Sequence, residues 1–433
     1  MKSMMLSVLA LAAGSLFAAV PKVDESSIVV RQLPSHVLTV DYDLIAQPGE
    51  AADDCIVTLD ILTNGVSIGQ SCLTNVSGDV NRVIPAGTGK RIVWKPWKTF
   101  GGHTIPQANL TAAVTVWSTN APPAFMCLNL ETLNAADTMY YPSAEAIPGT
   151  ITNKLYKTKR LLMRRIPAAG VTWRMGATSD DLVSWKPGYA TCHYVTLSKD
   201  YWMAIFETTW DQMDLLYGAD TRKAMGQQGS QGEGCPFCYL NFNGIWGAYG
   251  NNINWPTTDR KTVGANSYIK TIRDRTGLFF SVPTRAEWEF ACRAGKGTTF
   301  NDGSNAPNTN TSDALDRLGW YKENSGGCAH EVGLKAPNAW HLYDMHGNVQ
   351  EWVLDWWMAG DIGSSPVTDP QYPGAGETSY HFIAGGYYGS LANNVNTSKG
   401  NNQEAYSCAS YASQAERADN TKAYNGIRLC IPE

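Results

Sequence analysis

The chain has 433 residues, with 34 Lys+Arg against 39 Asp+Glu, a formal net charge of -5, 43% hydrophobic and 17% charged residues, 15 Trp and 10 Cys. That length supports two or three domains with cores of their own. The slight acidity leaves no basic footprint for nucleic acid, and 40 Gly with 21 Pro are too sparse and aperiodic for a fibrous or disordered chain.

The chain opens with Lys2 and an apolar run from Met4 to Val20 that ends in Leu16-Phe17-Ala18-Ala19 before Pro21. One basic residue, a short apolar stretch and small residues at its end make residues 1–19 a secretory signal peptide. No other apolar stretch is long enough to span a bilayer. The expected product is secreted or periplasmic, with no transmembrane segment in the mature chain. Its cysteines (55, 72, 127, 192, 235, 238, 292, 328, 408 and 430) are even in number, which in an exported chain favours disulfides.

Residues 20–118 carry the period-two pattern of half-buried strands: Leu38, Val40, Tyr42 and Leu44 alternate with Thr39, Asp41 and Asp43, and the period returns at Val57, Leu59, Ile61 and at Leu110, Ala112, Val114, Val116. Asn64-Gly65 supplies the positive φ values of a tight hairpin. Folding about it brings Cys55 and Cys72 within two residues of directly opposite, so that a bulge could let them bond. The pattern predicts a small antiparallel β-sandwich without catalytic clusters, serving as an accessory module. Pro122-Pro123, Pro142, Pro148 and the loss of periodicity mark 119–160 as a linker, with a strand of its own around Phe125 to Leu130.

From 161 to 433 short apolar strands, long Asn-, Gly- and Trp-rich loops and two well-signalled helices follow. Thr209-Trp210-Asp211-Gln212 is a capping box whose helix stops at Gly218, with Trp210, Met213 and Leu216 or Tyr217 on one face. Thr284-Arg285-Ala286-Glu287 repeats the signal, and that helix runs through Trp288, Ala291 and Cys292 to Gly295.

Several segments of this region are similar to successive signatures of the formylglycine-generating enzyme, or sulfatase-modifying factor, family. They are Ile166-Pro167-Ala168-Ala169-Gly170 with Met175-Gly176, Glu207-Thr208-Thr209, and the run from Val282 to Ala291. The block Pro337 to Val353 resembles the family's central block almost position for position, and Gly385-Gly386 and Gly426-Ile427-Arg428 its closing motifs. The resemblance implies an α+β, C-type-lectin-like domain held by a Trp-rich core, disulfides and calcium. Its calcium site would use Asp344, Gly347, Val349 and Glu351: two carboxylates with backbone carbonyls make the hard oxygen cage that Ca²⁺ takes. The alternative is that Asp344 caps a turn and Glu351 pairs with an Arg. The family's second calcium site is not carried over, because Asn324 to Val332 offers only Glu331. One family disulfide would join Cys292 to Cys430, although Cys430 lies one residue late and would face away on a strand.

The family's oxidases turn a substrate cysteine into formylglycine with oxygen and Cu(I) on two thiolates just after the Gly-Gly motif; a soft ion needs soft ligands. Here Gly385-Gly386-Tyr387-Tyr388-Gly389-Ser390-Leu391-Ala392 holds no cysteine, and Cys408 alone lies between Gly385 and Gly426. Copper is therefore not expected, and Cys408 is the only weak catalytic candidate. The iron-dependent branch needs His-x-x-x-His spacing, which none of the 7 histidines shows. Gly-x-Ser-x-Gly, His-Glu-x-x-His and phosphate-loop motifs are absent from the sequence. Cys235-Pro-Phe-Cys238 lacks the strand-to-helix context of a redox pair and is expected in structural disulfides.

The expected function is a calcium-stabilised recognition protein for a protein or glycan ligand in the envelope or outside the cell. The aromatic, Asn-rich loops at Gly385 to Asn402 and Asn241 to Trp255 would serve it. The alternative is a formylglycine-generating oxidase acting on cysteine of exported sulfatases, with Cys408 and a distant cysteine as metal ligands.

Overall fold

A computed structural model describes residues 20–46, 54–98, 106–176, 192–221, 232–247, 260–306, 309, 311–357, 366–371, 380–392 and 414–433. The chain divides into two compact units, Met1–Pro122 and Pro123–Glu433.

The first unit is built from two antiparallel sheets. One runs in the order Lys22–Gln32, Leu38–Ile45, Gly87–Trp94, Val76–Gly78. In the other, Asp54–Thr63 pairs along its length with Leu110–Ser118 and near its ends with Val66–Ser67 and Val83–Pro85. The alternating apolar residues turn inward as their period requires: Leu38, Val40, Tyr42, Leu44, Val57, Leu59 and Ile61 share one core with Ile92 and Trp94. Asn64 and Gly65 stand at φ 52° and 77°, with Thr63 opposite Val66, so the hairpin forms where the dipeptide predicts it.

The bond that a bulge could have allowed between Cys55 and Cys72 is not made. Pairing after the hairpin lasts only two residues, and Gly69, at φ 89°, turns the chain into a short 3-10 helix over Gln70–Leu73. Cys72 is thereby carried off the sheet, and its carbonyl accepts Trp94 Nε1 at 3.0 Å. Cys55 faces the core between Ile84 and Ser118, where burial pushes its thiol up to about 11.

The second unit takes up most of the expected linker. Phe125–Asn129, close to the strand anticipated there, pairs with both Met139–Tyr141 and Arg160–Ile166. The sheet continues through Tyr201–Ala204 to Cys430–Pro432. A second sheet orders Gln414–Arg417, Tyr380–Ala384, Gln350–Trp356 and Asn425–Gly426, the last pair being parallel. A third holds Val171–Met175, His193–Leu197 and Val367–Thr368.

Both predicted capping boxes are made. Thr209 and Gln212 close Trp210–Tyr217, which stops at left-handed Gly218, and Thr284 and Glu287 close Arg285–Arg293. Trp210, Met213 and Leu216 are buried, as is every residue of the second helix. A further helix, Tyr268–Thr276, was not anticipated. It is capped by Ser267 and ended by Gly277, and only its tertiary packing of Ile269 and Ile272 lifts so short a segment above the cost of nucleation.

His381 lies within this core, its ring 3.6 Å from Phe242 and 4.2 Å from Trp356 between centroids. Burial pulls its pKa down to about 3. A His held neutral when folded stabilises fully above its unfolded pKa near 6.5, and that contribution is lost as pH falls toward 3. Wild-type protein should therefore lose about 3 kcal/mol between neutral pH and pH 4 through this residue. Urea melts of His381→Gln across that range should show a correspondingly flatter profile; parallel curves for the two proteins would rule the assignment out.

Candidate functional site

The central block is a chain of tight turns feeding a strand. Asn338 sets the first: its Oδ1 accepts the amides of Trp340 and Leu342, while its Nδ2 donates to the carbonyls of Ala291 and Cys292. Asp344, Gly347 and Asn348 follow at φ 55°, 92° and 58°. Gly347 is required twice over, since a Cβ there would sit 2.0 Å from the Trp320 carbonyl oxygen. Strand Gln350–Trp356 then carries Glu351 into the core.

Around Glu351 the interior is charged. Arg428, fully buried, donates from Nη2 to Glu351 at 2.7 Å and from Nε to both carboxylate oxygens at 3.0 and 3.1 Å. Trp288 Nε1 adds a bond of 2.6 Å. The guanidinium is completed by the carbonyls of Tyr343 and Ala204. Glu207, also buried, accepts from Asn348 Nδ2 at 2.6 Å and from the Val349 amide at 3.0 Å. Burial, reinforced by Asp344 and Glu351, lifts its carboxyl well above the usual range. Asp344 accepts the Gly333 amide on Oδ2 and is pushed up to about 6, first by burial; its Oδ1 is buried without a hydrogen-bond partner.

The residues expected to hold calcium are thus gathered in one block, the carboxylates of Asp344 and Glu351 both buried. Glu351 pairs with an Arg, the alternative weighed above, and Asp344 Oδ1 is the one carboxylate oxygen of the pair left without a donor. Among the described residues no three of His, Cys, Asp and Glu gather as a metal-ligand set. Glu331 is used elsewhere, bound to the buried Lys157 at 2.9 Å.

The Gly385-Gly386 turn, at φ 84° and 71°, is tied to the block by the Gly347 amide on the Gly385 carbonyl. Tyr387 and Tyr388 follow it. Tyr387 stacks on Tyr424 with centroids 4.0 Å apart and planes at 19°, and meets Tyr388 edge-on at 5.3 Å. Burial raises the Tyr388 hydroxyl, with Cys238, Tyr239, Tyr424 and Cys328 around it. Nearby, Trp320 stacks on His330 at 3.8 Å, with Lys335 over its ring. Tyr239, Tyr387, Tyr388 and Tyr424 are all half-buried. Asn348 knits the surface together: its backbone amide donates to Trp320, its carbonyl accepts Tyr388, and its Oδ1 accepts His330.

Sequence reasoning found Tyr387 and Tyr388 from the loop's composition but missed Tyr239 and Tyr424, which lie far away in the chain and enter only through the fold. Cys408 lies outside the described residues, as do 1–19, 248–259 and 393–413, which hold much of the two expected recognition loops. Among the described residues no disulfide is formed. In particular, Cys292 Sγ donates to the Met345 carbonyl, whereas Cys430 sits against Ser281, Glu287 and Arg260. At Cys235-Pro-Phe-Cys238, burial pushes Cys238 up to about 12, the reverse of an activated redox thiol. His346 accepts the Asn301 amide on Nε2, a satisfied buried histidine in keeping with its loop setting.

Residues 163–431 match the family model described as the sulfatase-modifying factor enzyme 1-like domain. Among characterised proteins, a stretch of 125 residues is 31% identical to a chaperone protein LppX of Paenibacillus barcinonensis, covering 24% of this chain and 37% of that protein. Another of 109 residues is 34% identical to a formylglycine-generating enzyme of Thermomonospora curvata, covering 22% and 34%. The chain thus spans about a third of the length of these relatives. Of solved structures, Treponema denticola variable protein 1 gives a TM-score of 0.46 at 22% identity, covering 63% of this chain and 96% of that one. PvdO from Pseudomonas aeruginosa gives 0.47 at 21%, covering 66% and 99%. By the extent of the family match, this chain belongs to the formylglycine-generating enzyme, or sulfatase-modifying factor, family, with its C-type-lectin-like α+β domain.

Proposed function

We propose that the domain is a recognition module of an exported protein, binding a protein or glycan ligand at the tyrosine surface beside the Gly385-Gly386 turn. The observation that carries this reading is the stacked pair Tyr387–Tyr424, half-exposed where the family resemblance would put copper-binding thiols. Flat rings that lose little entropy on binding suit contact with a sugar face or a peptide. Copper chemistry needs two soft thiolates at the same turn, and residues 385–392 supply none. An oxidase acting on exported sulfatases is the competing reading, resting on family membership and Cys408.

Two measurements separate them. Screening the full chain against glycan and peptide arrays should yield a ligand whose affinity falls about tenfold or more in Tyr387→Ala and in Tyr424→Ala, the loss typical of a stacked aromatic contact. Titration with Cu(I) under reducing conditions should show no tight site. Tight 1:1 binding that Cys408→Ala abolishes would transfer the domain to the oxidases.

A further inference from the structure

We infer that the ligand taken at the tyrosine surface is an uncharged sugar ring and that Tyr239 is one of the residues that bind it, which rests on the recognition reading above and narrows it. Tyr239 stands at φ 62°, a left-handed conformation that a bulky aromatic residue rarely adopts. Its neighbours hold it there: the Phe237 amide donates to the Thr208 carbonyl, the Leu240 amide to the Asn425 carbonyl, and Leu240 bridges to Lys422. The bond to Asn425 joins this segment to the one that presents Tyr424, whose own carbonyl accepts the Gln350 amide at 2.9 Å. The Tyr388 amide donates to Asn348, two residues before Gln350. Three tyrosine-bearing segments far apart in the chain are thereby fixed on one buried frame of Asn348, Gln350 and Asn425, and a surface ordered in advance loses little entropy when a ligand arrives.

The main chain of these segments is already engaged. The Tyr388 carbonyl accepts Ser325 Oγ, the Tyr387 amide donates to Ser390 Oγ, and the Tyr387 carbonyl accepts the Ser390 amide. A strand-forming peptide finds no open edge among these groups, so contact falls to the rings and their hydroxyls. The strongest electrostatic neighbours of the Tyr388 hydroxyl are Cys238, Tyr239, Tyr424 and Cys328, phenols and thiols rather than ions. A uronate, sulfate or phosphate would meet no counter-charge among these four. A neutral pyranose needs none: its C–H face lies on an aromatic ring, and its hydroxyls exchange hydrogen bonds with phenols.

The full chain is screened against neutral oligosaccharides, their uronic-acid and sulfated counterparts, and peptides, and the hits are titrated by calorimetry. The expected result is a neutral sugar whose affinity changes less than about twofold between about 50 and 500 mM salt, and falls about tenfold or more in Tyr239→Ala. Tyr239→Phe keeps the ring and should lose only a few-fold. In the wild-type protein, where no variant has to fold, saturation-transfer NMR should mark the C–H protons of one sugar face above those of the other. Uniform saturation, or an affinity that survives Tyr239→Ala in a protein of unchanged melting temperature, overturns the inference. Hits confined to acidic sugars or to peptides overturn it too and leave the recognition reading standing, whereas a screen without any hit overturns both.

Discussion

Replacing Arg428 by Met is expected to cost about 3–5 kcal/mol of folding stability, enough to unfold a marginal domain at physiological temperature. The loss arises from what remains behind. Glu351 would keep only Trp288 as a donor, and the carbonyls of Ala204 and Tyr343 would lose their partner in an interior with no access to water. Lys at 428 should rescue little, since a single ammonium cannot span a carboxylate and two carbonyls on different segments. The double variant Glu351→Gln with Arg428→Met should be markedly less damaged than the sum of the single changes, because the unpaired charge disappears. Denaturant melts of the four proteins provide the cycle; additive losses would mean that the pair is not coupled.

Asn348→Ala should be the second severe substitution, at about 3 kcal/mol. The side chain serves three partners at once, donating to Glu207 Oε2 and the His330 carbonyl and accepting the His330 amide. Its backbone sits at φ 58°, which Asn tolerates better than Ala. Truncation leaves Glu207 Oε2 without its donor and releases both backbone groups of His330, while the backbone bonds to Trp320 and Tyr388 remain. Hydrogen exchange should quicken at the His330 amide in the same variant, whereas the Asn348 and Tyr388 amides keep their backbone acceptors. Unchanged exchange at His330, with the protein still folded, would deny the Asn348 side chain its role as the anchor of that segment. Asn348→Asp retains the shape but sets a second carboxylate against Glu207, and should be at least as harmful.

The elements that sequence disclosed are those whose signals are local. Thr209 with Gln212, Thr284 with Glu287 and Asn64-Gly65 each contain, within a few residues, the groups that satisfy their own backbone, so pattern and geometry agree. The central block was legible as a motif, but its chemistry was not. Glu351 could be named a calcium ligand or an Arg partner from sequence alone, and only the placement of Arg428, 77 residues away, decides what its oxygens meet. Glu207 was quoted as part of a motif without any hint that it would be buried beside Asp344. The cysteines failed for a related reason: Gly69 ends a strand that the alternating pattern would have prolonged to Cys72, and no residue near Cys72 signals that stop strongly. The strand Phe125–Asn129 was half visible, because the prolines around it suggested a linker, while the longer of its two sheet partners begins only at Arg160.

The placement of Arg428 and of strand Cys430–Pro432 has a bearing on biogenesis. The guanidinium reaches a carbonyl 224 residues earlier in the chain, and Cys430 completes a ladder begun at Met203. Until synthesis passes this segment, Glu351 has no counter-charge and the sheet ends at an open edge at Tyr201–Ala204. A nascent chain halted short of it would hold its carboxylates in water and present that edge to neighbours, so productive closure of the lectin-like domain must wait until Arg428 and Cys430–Pro432 have been made.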